Sequence, residues 1–398
     1  MKRTLSNPLC PKILNCRRLK LKRKRTNLTK NSQTPLSSTS SSQNPHKPLK
    51  KRQLKEQAKK SEELLASVEK LVSLQVEERA IVAVQNKEEK IRMLEVTEGI
   101  KNQYLDCFMI ASLQALFSVR EFFEYYFEGD FGEKGSGGEG MEVSRELHQV
   151  CKKYKRARGK CISVKRFRKY FNGDFDNYKQ HDACQFILHL FEKLQKEHSP
   201  ETPFSQSSGH ANSIEAWESY TEDLHSIIDK LFVGMSKTTF TCHSCSNSTS
   251  IYEEFKTIPL QCTSTFTFPF YETSTSEFNC STCADITSCS ITNTISHYPS
   301  YLLLPFQRLD PFISSKITKS LPFPSSFSPS PTSSLNYSLL STINHHGFSL
   351  EGGHYTAACR RGKSGEEKWM QCDDAHVEEG ETDGDEYVLL YGSRRKGG

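Results

Sequence analysis

Cys107-Phe108-Met109-Ile110-Ala111-Ser112-Leu113-Gln114-Ala115-Leu116 is a nearly unbroken apolar run that reads as a buried helix with a cysteine in its first turn. A thiolate is the working form of a cysteine nucleophile, and the partial positive charge of a helix N-terminus favours it. Asn102 lies five residues upstream, where a side-chain amide can be aimed at the oxygen of a tetrahedral intermediate. Far along the chain, Gly352-Gly353-His354-Tyr355-Thr356-Ala357 sets an imidazole at the start of an expected strand. The glycines leave room for a substrate backbone to approach it. Asp373 and Asp374 follow on the next expected strand, so antiparallel pairing brings one of them beside His354. Successive strand residues face opposite ways, so only one can orient the ring. Thiol nucleophile, imidazole base and carboxylate orienter are the parts of a cysteine hydrolase. Taken singly, the bland alternatives are a small core cysteine, a structural histidine and two turn acids.

Around these segments the pattern changes along the chain. Gly129 to Gly140 is a glycine-rich surface loop, and Phe186, Ile187, Leu190, Phe191 and Leu194 mark one face of a second helix over 180–194. After residue 228 the texture turns to Thr, Ser, Phe, Tyr and Ile in short runs that predict strands. Tyr301 to Leu304 reads as a short, fully buried strand, and Ser320 to Ser334 as a Pro/Ser-rich excursion. Segments 337–343, 354–360, 368–372 and 386–391 predict successive antiparallel strands. Helices first and strands afterwards make an α+β body. Within it, Cys242-His243-Ser244-Cys245 and Cys280-Ser281-Thr282-Cys283 are two CxxC knuckles separated by 34 residues. Four thiolates form a closed tetrahedral site, so structural zinc at the tips of neighbouring strands is expected, with unmetallated thiols as the alternative.

Charge divides the chain differently. Of the 53 Lys and Arg, 16 lie in residues 1–55, which hold no Asp or Glu. The other 37 stand against 47 acids, so a basic arm is attached to a mildly acidic body with a net of −10. Residues 1–53 read as a disordered arm, ending in a Ser/Thr/Pro/Gln tract that has too little apolar surface to fold. Its runs 17–25 and 50–52 resemble the two lobes of a nuclear import signal, which predicts a nuclear protein that meets an import receptor. Non-specific polyanion binding in the cytoplasm and a mitochondrial presequence are the alternatives. Residues 54–97 are expected to form an amphipathic helical spacer. Fourteen cysteines without an apolar leader or a spanning stretch point to reduced thiols inside a cell and to no membrane.

Several of these blocks, in order, resemble the ubiquitin-specific protease family of deubiquitinases. Gly99 to Asn102 with Cys107-Phe108-Met109 and Leu113-Gln114 is similar to its cysteine box. Gln180-His181-Asp182-Ala183-Cys184-Gln185-Phe186 is similar to its Gln-x-Asp-Ala-x-Glu-Phe segment. Asp229 to Gly234 before the first CxxC, and Tyr298-Pro299 through Arg308, match further segments. Gly353 to Ala357, Trp369, Asp373-Asp374, Val377 and Tyr387 to Tyr391 are similar to its histidine box. The resemblance implies a papain-like catalytic domain over 98–395, with a helical thumb carrying Cys107, an antiparallel β palm carrying His354 and Asp373, and zinc-tipped β fingers at about 232–300. It implies hydrolysis of the bond after the C-terminal glycine of ubiquitin, with ubiquitin and ubiquitinated proteins as partners. Cys107 would attack, His354 relay the proton, Asp373 orient His354, Asn102 hold the oxyanion, and Asp374 assist there or hold a water. The chain departs from the family pattern at Tyr104, Asp106, Ile110, Ala111, Gln185 and Cys372. A carboxylate at Asp106 is expected to oppose thiolate formation at its neighbour. That keeps two other readings in view: an impaired ubiquitin-binding module of the same fold, and a protease for a ubiquitin-like modifier.

Overall fold

The apolar run opens the fold as α1, Cys107–Leu116, and every one of its residues is buried. A helix with no polar face must be enclosed on all sides, and the rest of the chain is arranged to do that. The computed structural model describes residues 98–395 apart from 132–139, 158, 199–211, 223–225, 270, 311–314, 331–332, 350–351, 363–365 and 383. The expected arm 1–53, the spacer 54–97 and most of the glycine-rich loop therefore lie outside the described residues.

Six further helices follow: α2 (Arg120–Glu128), α3 (Glu142–Arg156), α4 (Lys165–Arg168), α5 (Ala183–His198), α6 (Ser213–Glu222) and α7 (Ile227–Phe232). A 3-10 turn, Lys169–Phe171, continues α4. The expected second helix starts at Ala183 rather than at Gln180, because the Asp182 carboxylate accepts the Gln185 N–H (2.7 Å) and caps it. The chain then turns to strands. β1 (Gly234–Cys242), β2 (Ser248–Phe255), β3 (Tyr271–Cys280) and β4 (Asp285–His297) form one antiparallel sheet in the order β2-β1-β4-β3. The second sheet holds β5 (Tyr301–Pro305), β8 (Ser326–Phe327), β9 (Leu335–His346), β10 (His354–Arg361), β11 (Lys368–Asp373), β12 (His376–Glu379) and β13 (Glu386–Arg395). Its order is β12-β11-β10-β9-β13-β5, with β8 paired to the start of β9. A small hairpin, β6 (Leu309–Asp310) with β7 (Ser315–Lys316), stands apart.

Tyr301 to Leu304 does not alternate because both faces of its strand are covered. Leu303 enters the main core around α1, while Leu302 and Leu304 enter a second core on the opposite face of the sheet. β13 behaves the same way, with Val388 and Leu390 on one side and Leu389 and Tyr391 on the other. A strand enclosed in this way needs apolar residues at every position. Helix α1 packs between this sheet, touching β9, β10 and β11, and α5. The helix also has a buried cap at its C-terminal end: Arg361 of β10 donates to the carbonyls of Phe117 and Gln114, both at 2.8 Å. The Gln114 carbonyl also accepts from the Cys359 thiol at 3.4 Å, and a cation there suits the negative end of the helix dipole.

Candidate active site

The chain enters the nucleophile helix through three tethers. Ile162 brackets the segment, accepting from the Lys101 N–H (2.8 Å) and donating to the Gly99 carbonyl (2.9 Å). The Asp106 N–H donates to Asn102 Oδ1 (3.1 Å), which folds the turn before Cys107. The Asp106 carboxylate lies 2.6 Å from Arg168 Nε, and the two side chains are only 5% and 3% exposed. Arg168 spends its other donors on Asn172 Oδ1 (3.2 Å) and the Phe175 carbonyl (2.9 Å). The carboxylate beside the thiol is therefore not a lone charge. A guanidinium packed against it compensates the charge, and Asp106 becomes an anchor for the helix start. Tyr104 and Leu105, by contrast, project half-exposed from the turn just before the thiol.

The palm supplies the other groups. His354 begins β10 and Asp373 ends β11, and the pairing Ala357↔Cys372 sets Asp373 on the same face as His354. His354 Nε2 lies 2.6 Å from Asp373 Oδ1. The Cys107 thiol lies against the same imidazole and acts on its protonation. The thiol contact does most to raise the His354 pKa to about 9; partial burial opposes it, and Asp373 adds to it. Cys107, His354 and Asp373 thus form one connected row.

Asp374 turns away from this row. Its backbone is left-handed at φ +49°, so the strand breaks and its carboxylate reaches Asn102 instead. Asn102 Nδ2 donates to Asp374 Oδ2 at 2.9 Å, and burial raises the Asp374 carboxyl pKa. Asp374 Oδ1 is buried with no hydrogen-bond partner among the described residues. The Asp374 carbonyl also accepts the Ile100 N–H at 2.7 Å. That close approach needs Gly99, where a side-chain carbon would meet the Ala375 carbonyl oxygen at 2.1 Å. The five residues read from the sequence are thus brought together as a triad and an amide–carboxylate pair. Asn102 keeps one amide hydrogen for a ligand.

Three supporting residues had no role assigned from the sequence. Gln180, just outside α5, makes a two-way clamp on Gly353: its amide donates to the Gly353 carbonyl and accepts the Gly353 N–H. This fixes the backbone immediately before His354. His346 lies directly opposite His354 in the β9–β10 register and bridges Asp385 Oδ2 (3.2 Å) and Thr356 Oγ1 (2.8 Å). Arg168 is the third. Its one sequence signal is a cation set between Phe167 and Phe171, both of which are fully buried.

The four expected metal ligands also converge. The order β2-β1-β4-β3 brings the β1–β2 and β3–β4 turns to the same end of the sheet. There the Sγ atoms of Cys242, Cys245, Cys280 and Cys283 all lie within 4.8 Å of one another. Cys242 and Cys283 are 3.9 Å apart, and Cys245 and Cys280 3.6 Å. Tetrahedral thiolates at a metal–sulfur distance of ~2.3 Å would stand ~3.8 Å apart. Ser246 and Ala284, each the residue after its second knuckle cysteine, are both left-handed (φ +60° and +55°). Their N–H groups donate back to the first cysteine's carbonyl at 2.9 and 2.8 Å. Two matching turns facing each other fit a metal, and the Thr287 hydroxyl and knuckle N–H groups bring the Cys242 thiol down to about 6.

Comparison with known proteins places this geometry in a family. The model of the family described as ubiquitin carboxyl-terminal hydrolase matches residues 98–391. Ubiquitin carboxyl-terminal hydrolase Usp2 of Drosophila melanogaster is 24% identical over 331 residues, covering 74% of this chain and 34% of its own length. Human ubiquitin carboxyl-terminal hydrolase 2 is 25% identical over 332 residues, covering 74% and 54%. The probable ubiquitin carboxyl-terminal hydrolase 16 of Schizosaccharomyces pombe is 24% identical over 318 residues, covering 74% and 66%. The chain thus spans between about a third and two thirds of the length of these relatives. Among solved structures, the SAGA DUB module Ubp8/Sgf11/Sus1/Sgf73 bound to monoubiquitin contains a chain of like fold. The TM-score is 0.59 at 17% identity, over 80% of this chain and 75% of that one. With the family model running from the segment before Asn102 into β13, this chain belongs to the ubiquitin carboxyl-terminal hydrolase family.

Proposed function

We propose that the chain is a thiol-dependent deubiquitinase that hydrolyses the peptide or isopeptide bond after the C-terminal glycine of ubiquitin. One observation carries the reading: His354 lies against Cys107 and is hydrogen-bonded to Asp373 at once, with its proton held up to about pH 9. An imidazolium beside the sulfur favours the thiolate, which is the attacking form of a cysteine nucleophile. The thiolate attacks the glycine carbonyl carbon, and the carbonyl electron pair moves onto oxygen. The remaining Asn102 amide hydrogen is offered to that oxygen, while Asp374 holds the amide by its other hydrogen. Collapse breaks the C–N bond, and the leaving amine takes the proton from His354. Water then attacks the thioester, giving its proton to His354 and releasing ubiquitin's carboxylate and the thiolate.

The test is ubiquitin carrying a C-terminal electrophile, incubated with the wild-type chain and with Cys107→Ala. A covalent adduct in the wild type alone is expected. Tight binding without an adduct would replace this reading with the binding module. Adduct formation with a ubiquitin-like probe instead would change the modifier. The same proposal includes zinc at Cys242, Cys245, Cys280 and Cys283, supported by the sulfur spacing, in a closed structural role. It also assigns the chain to the nucleus through residues 17–25 and 50–52, which fusion of residues 1–55 to a fluorescent protein would check.

A further inference from the structure

Residues 152–169 hold ten Lys or Arg among eighteen positions and no Asp or Glu. They sit in a body whose remainder is acidic, so positive charge has been concentrated here against the trend of the domain. The stretch covers the last turn of α3, the connection 157–164 and α4 with its 3-10 turn. Helices α3 and α4 pack on each other, and Arg166 of α4 reaches Glu146, halfway back along α3, at 2.8 Å. The two helices are therefore neighbours, and both carry exposed cations.

Three of the ten cations are already used, Lys155 lying over the Phe127 ring at 4.1 Å. Arg168 is buried on Asp106, and Arg166 neutralises Glu146. Lys153, Arg156, Lys160, Lys165 and Lys169 are exposed and have no ion-pair partner among the described residues. The other acids nearby are Glu98, which accepts the Gly159 N–H (2.6 Å), and Glu142 at the start of α3. The last turn of α3 accounts for part of the charge, since cations suit a helix C-terminus. That does not account for Lys160, Lys165 and Lys169.

We propose that this face of the thumb is a docking surface for the phosphodiester backbone of a nucleic acid. Protein partners are held by apolar anchors buried at the centre of an interface. None of the exposed large apolar side chains of the domain lies in 152–169, and its aromatic residues Tyr154 and Phe167 are buried. A surface of exposed cations without anchors or exposed rings suits a partner recognised by charge alone, without base stacking. The surface is distinct from the triad but joined to it. The Ile162 backbone brackets Gly99 and Lys101, and Ser163 Oγ donates to Gln103 Oε1 (3.3 Å) on the path to Cys107.

The test uses the full chain, a fluorescein-labelled 24-base-pair DNA duplex and a polyglutamate peptide of matched charge. Binding is measured against salt for the wild type and for Lys153→Ala/Lys160→Ala/Lys165→Ala/Lys169→Ala. Lysine acetylation is followed by mass spectrometry with and without the duplex. Any binding by the basic arm is common to both proteins, so the patch is read as a difference. Removing four lysines that each neutralise a phosphate should make the slope of log K against log salt shallower by about 3 to 4. The duplex should also slow acetylation of those four lysines in the wild type. Reaction with the ubiquitin electrophile and the melting temperature serve as fold controls and should be unchanged. Equal slopes with unprotected lysines would overturn the proposal. So would protection by polyglutamate alone, or salt-sensitive self-association of the chain that buries the same lysines without DNA.

Discussion

The histidines on either side of the β9–β10 turn show how one residue type takes opposite signs within a short span of chain. His345 is buried beside Lys316, and desolvation first, then that cation, pushes it down to about 4. His354 faces a thiol and a carboxylate and is raised to about 9. For a group lowered on folding, the stability it contributes is present above the unfolded value of 6.5 and is lost as pH falls towards 4. For a group raised on folding, the contribution is full below 6.5 and is lost as pH rises through about 9. Since the reactive pair needs its proton on His354, reaction with the ubiquitin electrophile should hold across neutral pH and fall along a basic limb near 9. Asp373→Ala removes the Nε2 partner. It should move that limb towards neutrality and slow the reaction by roughly a hundred-fold or more. Histidine NMR titration of the two proteins checks the assignment independently of rate. A limb that stays in place in Asp373→Ala would mean that Asp373 does not set the state of His354.

At the scale of elements, the decisive one is α1, a helix with no polar face that is fastened at both ends by arginines from elsewhere. Arg168 holds its start through Asp106, and Arg361 holds its last carbonyls. Removing one partner of a buried pair leaves an uncompensated charge, so Arg168→Met should cost about 3–5 kcal/mol in urea denaturation. The double variant Asp106→Ala/Arg168→Met should recover most of that loss. If the double variant were as unstable as the single, packing of the guanidinium rather than its charge would be the cause. These fastenings also mark how far the sequence could be read. The helix itself and the doubly covered β5 were legible, because burial leaves a pattern within a few neighbouring residues. Cys107, His354 and the acids were legible because their chemistry is rare and their blocks came in family order. Arg168 lies 62 positions from Asp106, and Arg361 244 positions from Phe117. No local pattern encodes such partners. Gln180 and His346 were missed for the same reason, since only the paired strands and the packed loops reveal what they hold.

The whole molecule joins two sheets of unequal self-sufficiency. The palm sheet is covered by a core on each face. The four strands β1 to β4 have almost none of their own. Among their described residues only Gly234, Met235, Tyr252 and three cysteines, Cys242, Cys280 and Cys289, are buried. The first three lie at the base, and Met235 and Tyr252 join a small cluster with Ala216, Tyr220 and Val233. The cysteines lie at the tip, with Cys289 opposite Cys242 in register. A sheet this thinly covered cannot be stabilised by apolar burial at its far end, and the proposed metal on four thiolates would supply the missing cross-link. Metal analysis of folded protein should therefore give about one zinc per chain, and Cys280→Ser should abolish it. Because the palm core is independent of the tip, the loss should be local. Hydrogen exchange should quicken across 234–297 while α1 and β10 keep their protection. Wild-type protein that is folded and metal-free, with slow exchange at the tip, would overturn the zinc assignment. Global unfolding of Cys280→Ser would instead show that the two sheets stand or fall together.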